Sequence, residues 1–252
     1  MNAITAAQNC GILFVPATGR GSVSAVRALE SVPGLRWFIT SNGAVVEDTD
    51  QPDQTIVRAM TAGVANRAVD LLRSGPNDYS FAWLTSEGFG AEEGFRHRHS
   101  QFLSRRHVEM AAEFNPRDVD LIKVLISGTH RNPLRLLASV VDDLDHMLTV
   151  EPAVTVAGSD ATFVEMTGHG INKGSALELL CGQLGIGPGQ VVALGDEHND
   201  LQMLEWAGYP VAMANAVEAV HDVSSLQTKN NDDDGVAIII EQILEGTFET
   251  NG

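Results

Sequence analysis

Two carboxylates and an amide follow the apolar run of residues 191–194. After Val-Val-Ala-Leu come Gly195 and Asp196, and one helical turn later Asn199 and Asp200. An unbroken apolar run predicts a strand buried on both faces of a parallel sheet, and ligands bind at the carboxyl ends of such strands. Paired carboxylates with a nearby amide suit a hard cation such as Mg²⁺. The alternative is that Asp196 and Asp200 only cap the next helix.

Lys173 begins a helix that leads directly into this strand. An ammonium group at a helix N-terminus is unfavourable for the helix dipole. We therefore expect an anionic partner for Lys173, either a carboxylate or a bound phosphoryl group. The alternative is a solvated lysine in a surface loop.

Thr18 lies between an apolar stretch and the pair Gly19-Arg20. A hydroxyl group at a strand end, followed by glycine and a helix N-terminus, can hold a phosphoryl oxygen. Taken alone the pattern is weak, and Thr18 could simply cap an ordinary strand-to-helix turn.

Alternating strands and helices position these residues. In the second half, apolar periodicity and glycine stops predict helices over 174–184, 201–207 and from 235 onward, with strands over 191–194 and 210–213. The first fifty residues repeat the pattern: a strand over 12–15, a helix capped by Ser22, a strand over 37–40 and a turn at Asn42-Gly43. This alternation is typical of a doubly wound parallel α/β layer, a Rossmann-like core.

The middle of the chain has a different pattern. It begins with a polar, acidic stretch and predicts a helix at about 55–73, an alternating strand over 120–127, a helix from Pro133 to about Val141, and a closing strand pair over 154–156 and 162–164. We interpret residues 49–165 as an α+β cap domain inserted into a core formed by 1–48 and 166–252.

Composition restricts the functional classes. The 252 residues are 44% hydrophobic, and 16 basic against 33 acidic residues give a net charge of -17, which disfavours nucleic-acid and anionic-membrane binding. No apolar run reaches the ~18 residues of a membrane helix, and no leader segment is apparent. Two cysteines, Cys10 and Cys181, form no disulfide framework and indicate a reducing, cytoplasmic setting. Their apolar neighbours predict two small core residues.

The motifs, in this order, resemble those of the haloacid dehalogenase-like (HAD) phosphatases, in particular the subgroup with a large α+β cap (IIB, Cof-type, which includes sugar phosphatases). Thr18 matches the family's second motif, Lys173 the third, and Gly195-Asp196 through Asn199-Asp200 the fourth. Segments 41–44, 213–216 and 231–236 also resemble that subgroup. The resemblance covers about 10–48 and 165–245.

The resemblance implies a Mg²⁺-dependent hydrolase of small phosphomonoesters, with sugar phosphates as the family-level expectation. It assigns Thr18, Lys173 and Asp196 to catalysis, Asp196 and Asp200 to the metal, and Arg20, Asn42 and Asn199 to substrate or phosphate contact. It implies no nucleic-acid or membrane partner, and a monomer or homodimer. A phosphomutase on the same core is an alternative.

The family's first motif, a strand ending in Asp-x-Asp-Gly-Thr, is not found before Thr18. In the family its first Asp is the nucleophile and its second the general acid/base. Asp118-Val-Asp120 and Asp143-Leu-Asp145 lack the Gly-Thr turn, and we interpret them as solvated carboxylates. We expect the nucleophile upstream of this chain's start, with residues 1–252 alone poorly stable and inactive. The alternative is a non-catalytic relative that binds a phosphorylated ligand.

A basic cluster lies in the predicted cap. It contains Arg96, His97, Arg98, His99, Arg105, Arg106 and His107. One interpretation is a solvated patch paired with surface carboxylates. The other is a patch that faces the site and attracts an anionic substrate.

Overall fold

The computed structural model describes residues 2–103, 108–116, 119–128, 133–144, 148–152 and 163–248. The chain forms two compact units, here called the core unit (Met1–Ile56 and Asn172–Gly252) and the cap unit (Val57–Ile171). The described helices are α1 Asn2–Asn9, α2 Ser22–Ala28, α3 Ala62–Ser74, α4 Glu93–Arg98, α5 Ser100–Leu103, α6 Pro133–Leu144, α7 Lys173–Leu184, α8 Leu201–Trp206, α9 Glu218–Val223 and α10 Gly235–Glu245. The described strands are β1 Trp37–Thr40, β2 Val45–Asp48, β3 Ile56–Val57, β4 Ser80–Thr85, β5 Phe89–Glu92, β6 Val108–Ala111, β7 Leu121–Ser127, β8 Thr149–Pro152, β9 Phe163–Thr167, β10 Val192–Gly195, β11 Tyr209–Ala212 and β12 Leu226–Gln227.

A parallel sheet in the order β10-β11-β12 carries the C-terminal half of the core unit. β10 and β11 pair from Val192 opposite Tyr209 to Gly195 opposite Ala212. Helices α7, α8 and α9 contribute apolar side chains to one core with the sheet, among them Leu180, Leu204 and Val220. The α/β class expected from the alternating pattern is therefore confirmed, and α7 ends as predicted before Gly185, whose φ is 70°.

A second sheet, in the order β1-β2-β3, lies in the N-terminal part of the chain. The strand expected over 12–15 was wrong as a regular element, since only Ala17 forms a parallel bridge, to Ile39. Pro16 has no N–H to donate, so pairing is confined to the hydrogen bonds that Ile39 makes with Pro16 O and Thr18 N, both 2.8 Å. Among the described residues, no strand pairing joins this sheet to β10-β11-β12.

The cap unit is built on a six-stranded sheet in the order β6-β5-β4-β7-β9-β8. Its pairs are antiparallel except for β5 with β6, which is parallel. Residues of α3 and α6 share one apolar cluster with the sheet, and Phe95 of α4 belongs to another. All seven residues of β7 are buried, because both sheet faces are covered there. The inserted α+β module is therefore confirmed.

Three cap elements differ from expectation. The helix predicted at 55–73 begins only at Ala62, where the Thr61 side chain accepts a hydrogen bond from Val64 N and caps it. The predicted helix from Pro133 extends to Leu144. The closing strand pair forms between β8 and β9, so the partner of 163–167 is 149–152. The predicted strand at 154–156 and residue 162 lie outside the described residues.

Two local predictions in the core unit were wrong. Ser22 is the first residue of α2 and not its cap; the N-cap is Gly21, and Ser22 Oγ lies 3.0 Å from Thr40 Oγ1. Cys10 is exposed just after α1, whereas Cys181 is buried as expected. Of the helices in the described part of the chain, none combines the length and the apolar character needed to cross a bilayer.

Candidate active site

Lys173 is the first residue of α7 and is 5% exposed. Asn172 caps this helix: its side chain accepts a hydrogen bond from Ser175 N, and Ser175 Oγ accepts one from Asn172 N. The ammonium Nζ donates to Asn199 Oδ1 at 3.0 Å and to Asp200 Oδ1 at 2.6 Å. The anionic partner predicted for Lys173 is thus a carboxylate of the same unit. An ammonium group has three donors, so one N–H of Lys173 has no partner among the described residues.

Asp200 closes the loop that follows β10. Its Oδ2 accepts hydrogen bonds from the backbone N–H groups of Asp196 and Glu197, both at 3.1 Å. The loop can approach this closely because residue 195 is glycine; a Cβ there would lie 2.6 Å from Asp200 Cβ. Both oxygens of Asp200 are therefore engaged by protein donors. Its role as a metal ligand stays a prediction.

Asp196 stands at the carboxyl end of β10, half-buried. Its Oδ2 accepts a hydrogen bond from Asn215 Nδ2 at 2.9 Å, and its backbone carbonyl accepts one from Val217 N at 3.0 Å. Within the described residues Oδ1 has no hydrogen-bond partner. The neighbouring Glu197 carboxyl has a raised pKa, because burial and the nearby charge of Asp196 disfavour its ionised form.

The donor set of this loop fits Mg²⁺. Among the described residues no three Asp, Glu, His or Cys side chains are grouped to hold a metal. Mg²⁺ does not require such a group, because it usually keeps several waters and binds through one or two carboxylates plus substrate phosphate oxygens. The unengaged Oδ1 of Asp196 could serve as one such ligand.

The turn Ser41–Gly43 brings Asn42 to the same place. Ser41 and Asn42 have left-handed φ values of 52° and 55°, a conformation that persists in non-glycine residues only where the surroundings enforce it. Here Ser41 N donates to Arg20 O at 2.8 Å. Gly43, which follows Asn42, packs so closely on the start of α7 that a Cβ would lie 2.1 Å from Asn172 O. Asn42 Oδ1 accepts a hydrogen bond from Asn199 Nδ2 at 3.0 Å.

Thr18 joins this turn through its backbone, since Asn42 N donates to Thr18 O at 3.2 Å. Its hydroxyl oxygen accepts a hydrogen bond from Arg20 N at 3.2 Å, which fixes the loop between the 12–17 segment and α2. The hydroxyl hydrogen remains available to a ligand. The Arg20 side chain is exposed, and the structure gives it no hydrogen bond to the other site residues.

Six predicted residues thus form one hydrogen-bonded cluster within the core unit. Thr18 connects to Asn42, Asn42 to Asn199, Asn199 to Lys173, Lys173 to Asp200, and Asp200 to the backbone of Asp196. Arg20 reaches the cluster through its backbone alone.

A comparison with protein families shows to which family the chain belongs. Residues 1–240 match the family model of the haloacid dehalogenase-like hydrolases. The chain belongs to this family. Two of the relatives described below bear the names of phosphatases.

A curated relative matches over nearly the whole chain. It is the 5-amino-6-(5-phospho-D-ribitylamino)uracil phosphatase YwtE of Bacillus subtilis, 26% identical over 270 residues that cover 98% of this chain and 91% of the relative. The similarity is thus not confined to the motifs of the core unit.

Two solved structures show the same fold. A Streptococcus mutans protein superposes with a TM-score of 0.81 at 21% identity, covering 97% of this chain and 90% of that one. A HAD subclass IIB sugar phosphatase superposes with a TM-score of 0.75 at 19% identity, covering 98% and 90%. The expected HAD-like fold, an α/β core with an α+β cap, is confirmed.

The basic cluster of this HAD-like cap is described only in part. Arg96 forms an ion pair with Glu93 at 2.7 Å, and Arg98 forms one with Asp78 at 2.6 Å. His99 is buried against Ser127. Residues 105–107 lie outside the described residues. The two described arginine pairs favour the interpretation as a patch neutralised by neighbouring carboxylates.

Asn215 and Asn231 also contact the site, although the sequence predicted no role for either. Asn215 binds the Asp196 carboxylate, and its Oδ1 accepts a hydrogen bond from Asn231 N at 3.3 Å. Their positions in the sequence could have indicated them, because segments 213–216 and 231–236 resemble HAD subgroup motifs and each follows a strand of the parallel sheet.

Proposed function

We propose that the protein is a Mg²⁺-dependent phosphomonoesterase acting on a small phosphorylated metabolite. The observation that carries this proposal is the cluster that leaves one N–H of Lys173 and Oδ1 of Asp196 unengaged, at the carboxyl ends of the strands. A phosphoryl group needs a donor for its oxygens and a cation for its charge, and the two free positions supply a donor and a cation ligand.

Each residue of the cluster has a defined role in this proposal. Lys173 and the Thr18 hydroxyl donate to phosphoryl oxygens, while Asp200 holds the Lys173 ammonium in place. Asn42 and Asn199 orient each other and stand next to the bound group. Bound to Asp196, Mg²⁺ would neutralise negative charge on the phosphoryl oxygens. Asp200 as a second ligand and Arg20 as a substrate contact stay predictions.

The nucleophile in this proposal is an aspartate on a strand between β10 and the 12–17 segment, carried by residues upstream of Met1. Two features of the sheet support it. Among the residues that the structure describes, β10 pairs on one side only, with β11, and the 12–17 segment pairs only with β1. A strand placed between them would end beside Thr18 and Asp196.

The substrate class rests on relatives. YwtE is named for a ribitylamino-uracil phosphate, and one structural neighbour is described as a sugar phosphatase. Both names contain a phosphate on a polyhydroxylated carbon chain or a sugar, so we propose a sugar or sugar-alcohol phosphate. The free cysteines Cys10 and Cys181 fit a reducing, cytoplasmic setting.

The test compares three chains with p-nitrophenyl phosphate and a panel of sugar phosphates. Residues 1–252 preceded by the residues encoded in frame upstream should show Mg²⁺-dependent turnover, and Asp196→Asn should abolish it with the fold intact. Asp222→Asn, an exposed carboxylate on α9, is the matched control and should retain full activity.

Two outcomes would contradict the proposal. Unchanged turnover in Asp196→Asn would remove Asp196 from the site. A stop codon directly upstream of Met1, with phosphate binding but no turnover, would instead establish the non-catalytic, ligand-binding alternative.

A further inference from the structure

The carboxylate of Asp196 is held by a loop on a different strand. Asn215, which follows β11, donates from Nδ2 to Asp196 Oδ2 at 2.9 Å. Its own Oδ1 accepts a hydrogen bond from the backbone N–H of Asn231, which follows β12. The three loops that leave the parallel sheet β10-β11-β12 thus meet at one amide side chain.

The second hydrogen bond determines how the amide of Asn215 is oriented. An N–H group can only donate, so Asn231 N must face the amide oxygen of Asn215. The NH₂ group then necessarily faces Asp196. The hydrogen bond to Oδ2 fixes the Asp196 carboxylate and leaves its other oxygen, Oδ1, directed away from Asn215.

The backbone around Asn215 is fixed independently of its side chain. Val217 N donates to Asp196 O at 3.0 Å, and Ala214 N donates to Lys229 O at 3.4 Å. On the β12 side, a Cβ at Gly235 would lie 2.1 Å from Lys229 O, so that loop is tightly packed. Asn215 itself is exposed, and its side chain therefore contributes little to core packing.

We propose that Asn215 is a positioning residue for the cation ligand Asp196, and that Asn231 fixes the orientation of Asn215. This inference rests on the proposed function, since it assumes that Asp196 Oδ1 binds Mg²⁺. Partners of this kind hold the ligand carboxylate in the rotamer that the metal requires, and their removal typically weakens metal affinity about 10–100-fold.

The experiment measures Mg²⁺ binding without catalysis. The thermal unfolding midpoint of residues 1–252, preceded by the residues encoded in frame upstream, is followed against Mg²⁺ concentration, with isothermal titration as a second readout. Asn215→Ala should raise the Mg²⁺ concentration for half-maximal effect about tenfold. Asn215→Leu, which keeps the approximate shape but no donor, should behave in the same way.

Asn230→Ala is the matched control. Asn230 lies in the same β12 loop, and its side chain accepts a hydrogen bond from Asp233 N without contacting Asp196. Its loss should lower the unfolding midpoint and leave Mg²⁺ affinity unchanged. Hydrogen exchange gives a local readout: Mg²⁺ should slow exchange at Asn231 N–H in the wild type and not in Asn215→Ala.

The outcomes separate this inference from the proposed function. If Asn215→Ala and Asn215→Leu bind Mg²⁺ like the wild type while Asp196→Asn does not bind it, the positioning role is wrong and the metal site stands. If Asp196→Asn binds Mg²⁺ like the wild type, or the wild type shows no Mg²⁺ response, the assignment of the cation site to Asp196 is wrong. The positioning role of Asn215 is then wrong as well.

Discussion

Each unit of the molecule contains a buried lysine–carboxylate pair. In the core unit Lys173 Nζ lies 2.6 Å from Asp200 Oδ1, and in the cap unit Lys123 Nζ lies 2.7 Å from Glu165 Oε1. All four residues are at most 7% exposed. By distance and burial the two pairs are nearly equivalent, so these quantities alone do not separate a catalytic pair from a structural one.

The surroundings of the two pairs differ. Lys123 and Glu165 lie within neighbouring strands, β7 and β9, where Lys123 is paired with Leu84 of β4 and Glu165 with Leu125 of β7. Lys173 and Asp200 lie at a helix start and in a loop after a strand, where the peptide groups of Asp196 and Glu197 also converge. A buried charge pair at the ends of elements can meet a ligand, whereas one within a continuous sheet contributes to the fold. We therefore expect the cap pair to affect stability and the core pair to affect ligand binding.

The largest expected effect tests the cap pair. Lys123→Met leaves the Glu165 charge buried without its lysine, and we expect a loss of about 3–5 kcal/mol in the free energy of unfolding. The double variant Lys123→Met/Glu165→Leu removes both charges and should recover most of it. Urea unfolding measures both values. A single variant as stable as the wild type would show that the pair has no structural role.

The next prediction is a pH dependence of the free energy of unfolding. It concerns His99, a second buried polar group of the cap. Its Nε2 lies 2.6 Å from Ser127 Oγ, and its ring packs against Phe95 and Phe163. Burial, together with the charge of Arg98, lowers the pKa of His99 from 6.5 to about 4. The unfolded chain therefore binds a proton that the folded chain does not as pH falls from about 6.5 to 4.

Acidification therefore lowers the free energy of unfolding. The loss amounts to about 3 kcal/mol in total and is complete below pH 4. Urea unfolding of the wild type and of His99→Gln at pH 7.5 and 4.5 measures it. The wild type should lose about 2–3 kcal/mol more than the variant, because glutamine does not titrate. Parallel losses in the two proteins would show that His99 titrates normally in the fold.

The smallest expected effect is a loss of phosphate affinity that should occur on substitution of Lys173 and not of Lys123. Lys173→Met removes a charge-assisted donor to a phosphoryl oxygen, which corresponds to roughly a 10–100-fold loss of affinity for inorganic phosphate in the presence of Mg²⁺. Lys123→Met, where it remains folded, should bind phosphate like the wild type. Equal losses in the two variants, measured by isothermal titration, would remove the distinction between the pairs.

The sequence predicts the C-terminal half of the core unit well. Short apolar runs and glycine stops after helices are local signals, and they match elements from Lys173 to Glu245. Signals were weaker where one residue overrides a pattern. Pro16 prevents regular pairing of the apolar 12–15 run, and Thr61 sets the start of α3 well inside a helix-like stretch.

The candidate site was predictable as a set of residues but not as a network. The position of each residue after a strand or at a helix start could be inferred from the order of elements. Side-chain rotamers and loop packing across three strands determine which oxygen of Asp200 faces Lys173. They also determine that Asn215, and not a second carboxylate, contacts Asp196. These are tertiary contacts with no local sequence pattern.

Binding of a phosphoryl group at this site is measured by titration of inorganic phosphate, with and without Mg²⁺, into the wild type and Asp196→Asn. The claim is that Asp196 holds the cation through which a phosphoryl group is bound beside Lys173. Mg²⁺ should strengthen phosphate binding in the wild type and have no effect in Asp196→Asn, while the variant keeps the wild-type unfolding midpoint. An identical Mg²⁺-dependent increase in both proteins would contradict it.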